Sequence, residues 1–396
     1  LWRGLFFDDN RHRLQVARKN TLLSNEQLRQ RVIEIVTQAI QAYWELEYAR
    51  RNFDVQVEAV RLAQRQDESN RRQVEQGLLA PVDVVQTQTQ IATFQQNVYL
   101  AQNALTNAEN ALKVLMLPDR NDLMWGMALL PEDAAEKAPS LPALADAMKE
   151  ALADRPEAKE NTIALDINRL DARLTHEASK PQVDAFATFG VAGLAGAPVV
   201  QSGANPFTAA FSPLINQINA LSTQAGIPPL PAISFGSAAI PPILVGGYGQ
   251  SLSALTSGQF ATAVVGVNVS LPLRNRTAVA AEQVQLAEGK RLQAQKQQVQ
   301  MAIEQDVRNA LQLMLSANYR LEAAVNARRS AEEQYNSEQR QFQAGTSTVF
   351  LVLQRQTDLI AARTSEVRAE ADRGQAQANL DRALARTLQV QNIDMK

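Results

Sequence analysis

The sequence predicts a mainly α protein with a β part, built from long antiparallel coiled-coil helical hairpins in two related halves. Three observations predict it. Heptad-spaced stripes of apolar and small residues run for tens of residues in three places. Two segments of about ten residues alternate with period two. The two hairpins also repeat one another at an offset of 268 residues, without a gap over most of their length.

Composition excludes several function classes. Among 396 residues, 39 Lys and Arg face 41 Asp and Glu, a net charge of -2. That balance leaves no broad basic face for nucleic acid. There is no cysteine, so thiolate metal sites, iron–sulfur clusters, thiol nucleophiles and disulfides are excluded. The only histidines, His12 and His176, stand far apart. With Asp8 and Asp9 beside the first, and Asp171 and Glu177 near the second, they read as solvated helix-surface charge rather than metal ligands. Gly190, Gly193 and Gly196, and Gly246, Gly247 and Gly249, lack the spacing of a phosphate cradle. No carboxylate pair stands out as an acid and a base. The sequence therefore predicts no catalytic residue, no cofactor and no metal, and a chain that is not an enzyme. No run of 18 uncharged apolar residues predicts a membrane-crossing helix, which leaves a β-barrel open.

Residues 12–75 read as one helix. Leu28, Val32, Ile35, Ala39, Ala42, Leu46, Ala49, Phe53, Val60 and Ala63 form its seam, with Gln56 the one polar entry. Such a helix is roughly 95 Å long. It stops at Gln76-Gly77-Leu78, where Gly77 can adopt the left-handed angle that ends a helix. Pro81 suits the first turn of the next helix, which runs over 82–116 with Val84, Thr87, Ile91, Phe94, Val98 and Ala101 in its seam. Residues 1–117 are thus a first hairpin unit. A proline-broken linker over 118–154 follows, with a short helix near 144–153, and then a helical segment over 155–181.

Residues 182–273 change character. Val183, Ala185, Ala187, Phe189 and Val191 alternate with Asp184, Phe186, Thr188 and Gly190. Ala261, Ala263, Val265, Val267, Val269 and Leu271 alternate in the same way. Both stretches are strands. Their length suits a membrane barrel, and a half-buried strand of an ordinary sheet fits the alternation as well. Between them, 192–258 is rich in Gly, Ala, Pro and Ser and reads as a long exposed loop, with a short helix over 211–224. A second very long helix covers 276–343, with Ile303, Val307, Ala310, Met314, Ala317, Leu321, Ala324 and Ala331 in its seam. It breaks at Ala344-Gly345-Thr346, and a last helix follows, so that 274–396 is a second hairpin unit with its tail.

The repeat places Gly77 on Gly345, and Ala42, Ala49, Arg61 and Ala63 on Ala310, Ala317, Arg329 and Ala331. Past the turns, Val84, Gln86, Gln88 and Thr89 meet Val352, Gln354, Gln356 and Thr357. The second copy has a helix and two strands before its long helix. The repeat therefore predicts a matching segment of a hundred residues or so ahead of Leu1.

Leu1-Trp2-Arg3-Gly4, Ala42-Tyr43-Trp44-Glu45-Leu46, the tip Gln76-Gly77-Leu78 followed by Asp83-Val84, and the tip Ala344-Gly345-Thr346 together resemble the TolC family of outer membrane efflux proteins. The resemblance covers nearly the whole chain, less well over 192–258. It implies a homotrimer whose protomers share one transmembrane β-barrel in the Gram-negative outer membrane, with the helices forming an α-barrel tunnel through the periplasm. It implies a passive export duct, opened at its periplasmic helical tip, that works with a periplasmic adaptor (membrane fusion) protein and an inner-membrane transporter, in contact with outer membrane lipid. The runner-up reading is a periplasmic adaptor-type coiled-coil protein. The resemblance makes Gln76, Gly77, Leu78, Ala344, Gly345 and Thr346 the adaptor-contacting tips. It puts the periplasmic aperture at Asp83, Ser347, Leu351 and Gln354. Some members carry aspartates where Leu351 and Gln354 stand, and a basic residue where Ser347 stands. The acidic ring is therefore not expected here, and other contacts should hold the gate. With two strands only, this stretch of chain is not expected to close a barrel on its own.

Overall fold

The computed structural model describes residues 7–132, 141–197, 206–231, 240–271 and 274–394. It divides into two compact units, one of helices over Phe7–Glu177 and Arg276–Lys396, the other containing Ala178–Asn275. The Leu1-Trp2-Arg3-Gly4 motif lies outside the described residues.

In the helical unit, α1 spans Asp9–Glu75 and α2 Pro81–Met116. Asp8 caps α1 by accepting from the Arg11 N–H at 3.2 Å. Helices α3 (Leu144–Asp154) and α4 (Pro156–Ala178) follow. After the second unit come α7 (Arg276–Gln343), α8 (Val349–Ala383) and the one-turn α9 (Thr387–Val390). Helices α1 and α2 pair with each other, as do α7 and α8, and α1 also packs along α8.

Within each hairpin the contact is apolar. Leu46 and Ala49 of α1 pack on Ala108 and Leu112 of α2. Ile303, Val307, Ala310, Met314 and Ala317 of α7 pack on Ala376 and Leu380 of α8, and Ala147 and Ala151 of α3 close that cluster. Small residues along these seams let long helices run close together without a thick core. The predicted α7 stripe is the buried one. Of the predicted α1 stripe, Leu46, Ala49, Gln56 and Ala63 are buried, and Phe53 and Val60 are half-buried. Before Leu46, Leu28 and Ile35 are exposed, while Ile33 and Thr37 are buried. The cause is a change of partner. This stretch of α1 lies beyond the reach of α2, and Ile33 lines a small cleft with Arg155, Pro156 and Arg382 instead.

Between the hairpins polar contacts join an apolar one, in which Ile360 of α8 packs with Ala59, Ala63 and Phe94 of the first hairpin. Glu45 accepts twice from Arg368, at 2.8 and 3.0 Å. Arg51 pairs with Glu370, and Gln41 donates to Asn379 at 2.9 Å. Gln56, the polar residue of the predicted stripe, donates to Thr364 at 3.4 Å. One glycine sets the spacing. A Cβ on Gly374 would sit 2.2 Å from the Trp44 indole, so only glycine lets that ring lie against α8.

One histidine differs from expectation. His12 is not solvated: its Nε2 lies 2.7 Å from Asp171 Oδ1 across two helices, and the Phe7 ring meets it edge-on. Asp8 and Asp9 are occupied locally, with Arg11 and Arg13. His176 is exposed and sits 3.0 Å from Glu282.

In the second unit, β1 (Gln182–Ala192) and β2 (Phe260–Ser270) pair antiparallel, with Gln182 opposite Ser270 and Ala192 opposite Phe260. This register puts Val183 opposite Val269, Ala185 opposite Val267, Ala187 opposite Val265 and Phe189 opposite Ala263. Both apolar alternations therefore share one face of the ribbon. That face is open: Phe189 is 73% and Val265 81% exposed. The stretch between the strands, read from sequence as a loop with one short helix over 211–224, holds two helices in its described part. They are α5 (Pro206–Gln224) and α6 (Tyr248–Thr256). Uncharged residues with apolar side chains at three- and four-residue spacing have helical periodicity even where Gly and Pro are frequent nearby.

Two matched tips as the candidate gate

The two hairpins end in the same turn. At the first, Gly77 takes φ +73°, its N–H donates to Val74 O at 2.9 Å, and Leu78 N–H donates to Gln73 O at 2.8 Å. At the second, Gly345 takes φ +76°, its N–H donates to Phe342 O at 3.0 Å, and Thr346 N–H donates to Gln341 O at 3.0 Å. Both are Schellman caps, in which a left-handed residue lets two carbonyls of the last helical turn find donors. A Cβ built on either glycine would meet nothing within 4 Å. The turn needs these glycines for their angle, and the surrounding space is open. Gln76, Gly77 and Leu78 are exposed, as are Ala344, Gly345 and Thr346.

The four residues that the family resemblance puts at an aperture each find a partner within their own hairpin. Asp83, in the first turn of α2, accepts from the Ala80 N–H at 3.3 Å, and its own N–H donates to Ala80 O at 3.0 Å. A carboxylate there also suits the positive end of the helix. Ser347 donates to Glu338 of α7. Leu351 is 38% exposed, and its N–H donates to the Thr348 hydroxyl at 3.4 Å. Gln354 donates to Asp358 at 3.1 Å.

Behind the tips the two hairpins part company. The second is filled by Tyr335, Phe342, Val349, Val352, Leu353 and Leu359, and Leu79 from the first hairpin packs against this cluster. Burial pushes the Tyr335 phenol above its ordinary value, against the smaller opposing pull of Arg65 and Arg363. The first is filled by polar groups. Thr87 donates to Asp67 at 2.8 Å, Arg71 donates to the other oxygen of Asp67 at 2.7 Å, and Gln66 donates to Asn70 at 2.7 Å. Gln66, Asp67, Asn70 and Thr87 are all buried. The sequence carried a signal for this set. Continuing the α1 stripe past Ala63 by steps of four and three lands on Asp67 and Asn70, facing the Thr87 of the α2 stripe.

Far from the tips, an ionic clamp ties α4 to α7 and α8. The buried Arg155 donates to Asp306 at 2.6 Å and to Glu157 at 2.8 Å, and Arg382 donates to the other oxygen of Asp306 at 2.9 Å. Burial alone would raise the Asp306 carboxyl, but hydrogen bonds and charge from Arg382 and Arg155 hold it below its ordinary value. Glu157 is treated the same way: burial is outweighed by Arg155.

Comparisons with known proteins fit this architecture. No curated protein matches the chain in sequence. Solved structures share its fold, among them three outer membrane proteins. The outer-membrane channel OprN matches at 14% identity over 96% of this chain and 72% of its own, with a TM-score of 0.69. The Campylobacter jejuni CmeC outer membrane channel matches at 13% identity over 95% and 68%, with a TM-score of 0.67. The Vibrio cholerae outer membrane protein VceC matches at 16% identity over 95% and 75%, with a TM-score of 0.66. A family model described as outer membrane efflux protein matches residues 5–116 and 228–386, which takes in both hairpins and both tips. The chain belongs to the outer membrane efflux protein family.

Proposed function

We propose that this chain is one protomer of a homotrimeric export duct, and that its two tips are at once the gate and the docking surface for a periplasmic adaptor that connects it to an inner-membrane transporter. The observation that carries the reading is the pair of matched Schellman turns, each exposing a bare glycine with open space around it. A bare backbone lets a partner helix tip approach closely. In this reading the duct is passive, a bundle of helices and a strand ribbon that conducts solutes without transforming them. Gln76, Gly77, Leu78, Ala344, Gly345 and Thr346 form the contact. Asp83, Ser347, Leu351 and Gln354 line the aperture, which lacks a ring of carboxylates at Leu351 and Gln354.

Asparagine tests the docking role, since it tolerates the left-handed angle but adds a side chain. Gly77→Asn with Gly345→Asn should leave trimer assembly intact while export and adaptor cross-linking fall. Unchanged export and cross-linking in the double variant would reduce both glycines to turn formers.

A further inference from the structure

The insert between the two strands lies in the unit that does not contain the tips. From Ala185 to Leu273 the sequence contains no Asp, Glu, Lys, Arg or His, in a chain that is otherwise rich in charge. Strands β1 and β2 are each 11 residues long. Tilted strands of that length already cross the hydrocarbon of a bilayer. The insert therefore starts where the hydrocarbon ends, and a loop in bulk water has no physical reason to lack charge altogether.

Its helix α5 carries Phe211, Leu214, Ile218 and Leu221 at steps of three, four and three, which puts them on one side. They are 53%, 56%, 39% and 64% exposed. The opposite side presents Asn216 and Thr223, polar without charge. At roughly 25 cal/mol per Å² of apolar surface, such a stripe gains by leaving water. The base of the insert is fixed to the strand end. Ser251 of α6 donates to Gly193 O at 2.8 Å, Gly196 N–H donates to Leu244 O at 2.9 Å, and Gly246 N–H donates to Gly196 O at 3.2 Å. Tyr248, which opens α6, is 85% exposed, an aromatic with a polar tip at the boundary level where such rings gather.

We propose that α5 lies on the outer leaflet of the outer membrane, with its Phe211–Leu221 stripe at the acyl-chain boundary, and anchors the insert to the lipid surface beside the barrel. Lipid is the occupant for two reasons. The stripe belongs to the same uncharged run of sequence as the open apolar face of β1 and β2, and a surface meant for water has no reason to be stripped of charge over that whole length. A hydrocarbon boundary also has no charge to complement, whereas protein interfaces carry a polar and charged rim. The inference rests on outer-membrane placement alone. It stands whether or not the tips dock an adaptor.

The absence of cysteine makes the test direct. Single cysteines are placed in the full-length protein at Leu214, Leu221, Asn216 and, on the strand, Phe189. Each is spin-labelled after reconstitution in vesicles of phosphatidylethanolamine and phosphatidylglycerol. Relaxation by oxygen, which concentrates in lipid, is compared with relaxation by a water-soluble nickel chelate. Labels at Leu214 and Leu221 should favour oxygen several-fold, like the label at Phe189, and the label at Asn216 should favour nickel. Nickel access at Leu214 and Leu221 equal to that at Asn216 would make the insert a solvated loop and overturn the proposal. Dipolar broadening at Leu214 and Leu221 would assign the stripe to a second copy and overturn it too. A nickel-exposed label at Phe189 would overturn the lipid-facing strand surface on which the argument from the shared uncharged run depends.

Discussion

The two hairpin tips share a turn and differ in what fills the helices behind it. Gly77 and Gly345 have nearly the same backbone angle and the same pair of carbonyl acceptors. Yet the offset of 268 residues sets Asp67 against Tyr335, Val74 against Phe342 and Pro81 against Val349. The first hairpin holds itself with directional hydrogen bonds around Asp67, the second with packed apolar side chains around Phe342. Apolar packing tolerates sliding and loses little until contact is lost. A buried polar cluster is stable only in one geometry, because a group pulled off its partner is left dry and unpaired. Duplication has thus kept the turn and changed the stiffness on either side of it.

The largest effect should come from emptying the second tip. Phe342 is 7% exposed at the centre of its cluster. Phe342→Ala should cost about 3–5 kcal/mol by lost burial and the cavity left behind. Val74, at the equivalent place, is only half-buried, and Val74→Ala should cost less than half as much. Chemical denaturation with a probe at each tip checks this. Equal losses at the two positions would erase the distinction between the hairpins.

Next in size is a change far from both tips. Asp306 holds two arginines, and it precedes the second tip by about 55 Å of helix. Asp306→Asn should cost about 2 kcal/mol, less than a fully buried pair because the carboxylate is partly solvated. Acid should act at the same place. Asp306 and Glu157 have folded-state values below their ordinary 3.8 and 4.5. Their contribution is complete above those ordinary values and is lost as the pH falls through the lowered ones. Below pH 4 the wild type should lose stability more steeply than Asp306→Asn, by thermal melting across pH. Parallel curves would remove the clamp from the account.

These outcomes bear on how far the sequence could be read. The heptad stripes of α7 and the turn glycines were legible because each rests on local rules: periodicity for one and a left-handed angle for the other. The α1 stripe was legible only where one partner runs alongside. Before Leu46 the partner changes, and a period cannot say which neighbour a residue faces. His12 was misread for the same reason, since Asp171 reaches it from another helix 159 positions along the chain. The repeat sets the two turn glycines, Gly77 and Gly345, in register, whereas the contact role of Gln76 to Leu78 and Ala344 to Thr346 comes from the family resemblance alone. The polar set behind the first tip was missed because the stripe was not followed into its polar positions.

A smaller effect separates the two kinds of filling directly. Asp67→Ala takes from Thr87 and Arg71 the acceptor they share, leaves the Thr87 hydroxyl the Val84 carbonyl of its own helix at 2.9 Å, and should cost about 1 kcal/mol. Replacing both partners, Asp67→Leu with Thr87→Val, swaps the buried pair for apolar groups and should be close to neutral. The double variant makes the first tip apolar like the second. If a double-mutant cycle finds the two losses simply additive, Asp67 and Thr87 do not act as a pair.

The smallest effect is a titration, and it should appear at one tip only. Tyr335 lies in the apolar filling of the second hairpin, where burial raises its phenol above the ordinary value of 10.0. The folded state therefore keeps its proton when the unfolded chain would release it. The resulting contribution is complete below pH 10, and it is lost as the pH rises from there through the raised value. At that place the first hairpin has Asp67 instead of a phenol. Tyr335→Phe should remove a late-titrating phenol from the ultraviolet absorbance curve. Above pH 10, limited proteolysis should open the 335–359 end before the 67–91 end in the wild type, and Tyr335→Phe should abolish that order. If both tips open together at alkaline pH in the wild type, the phenol is not held in a dry cluster, and the contrast between a packed tip and a hydrogen-bonded one fails at its most direct point.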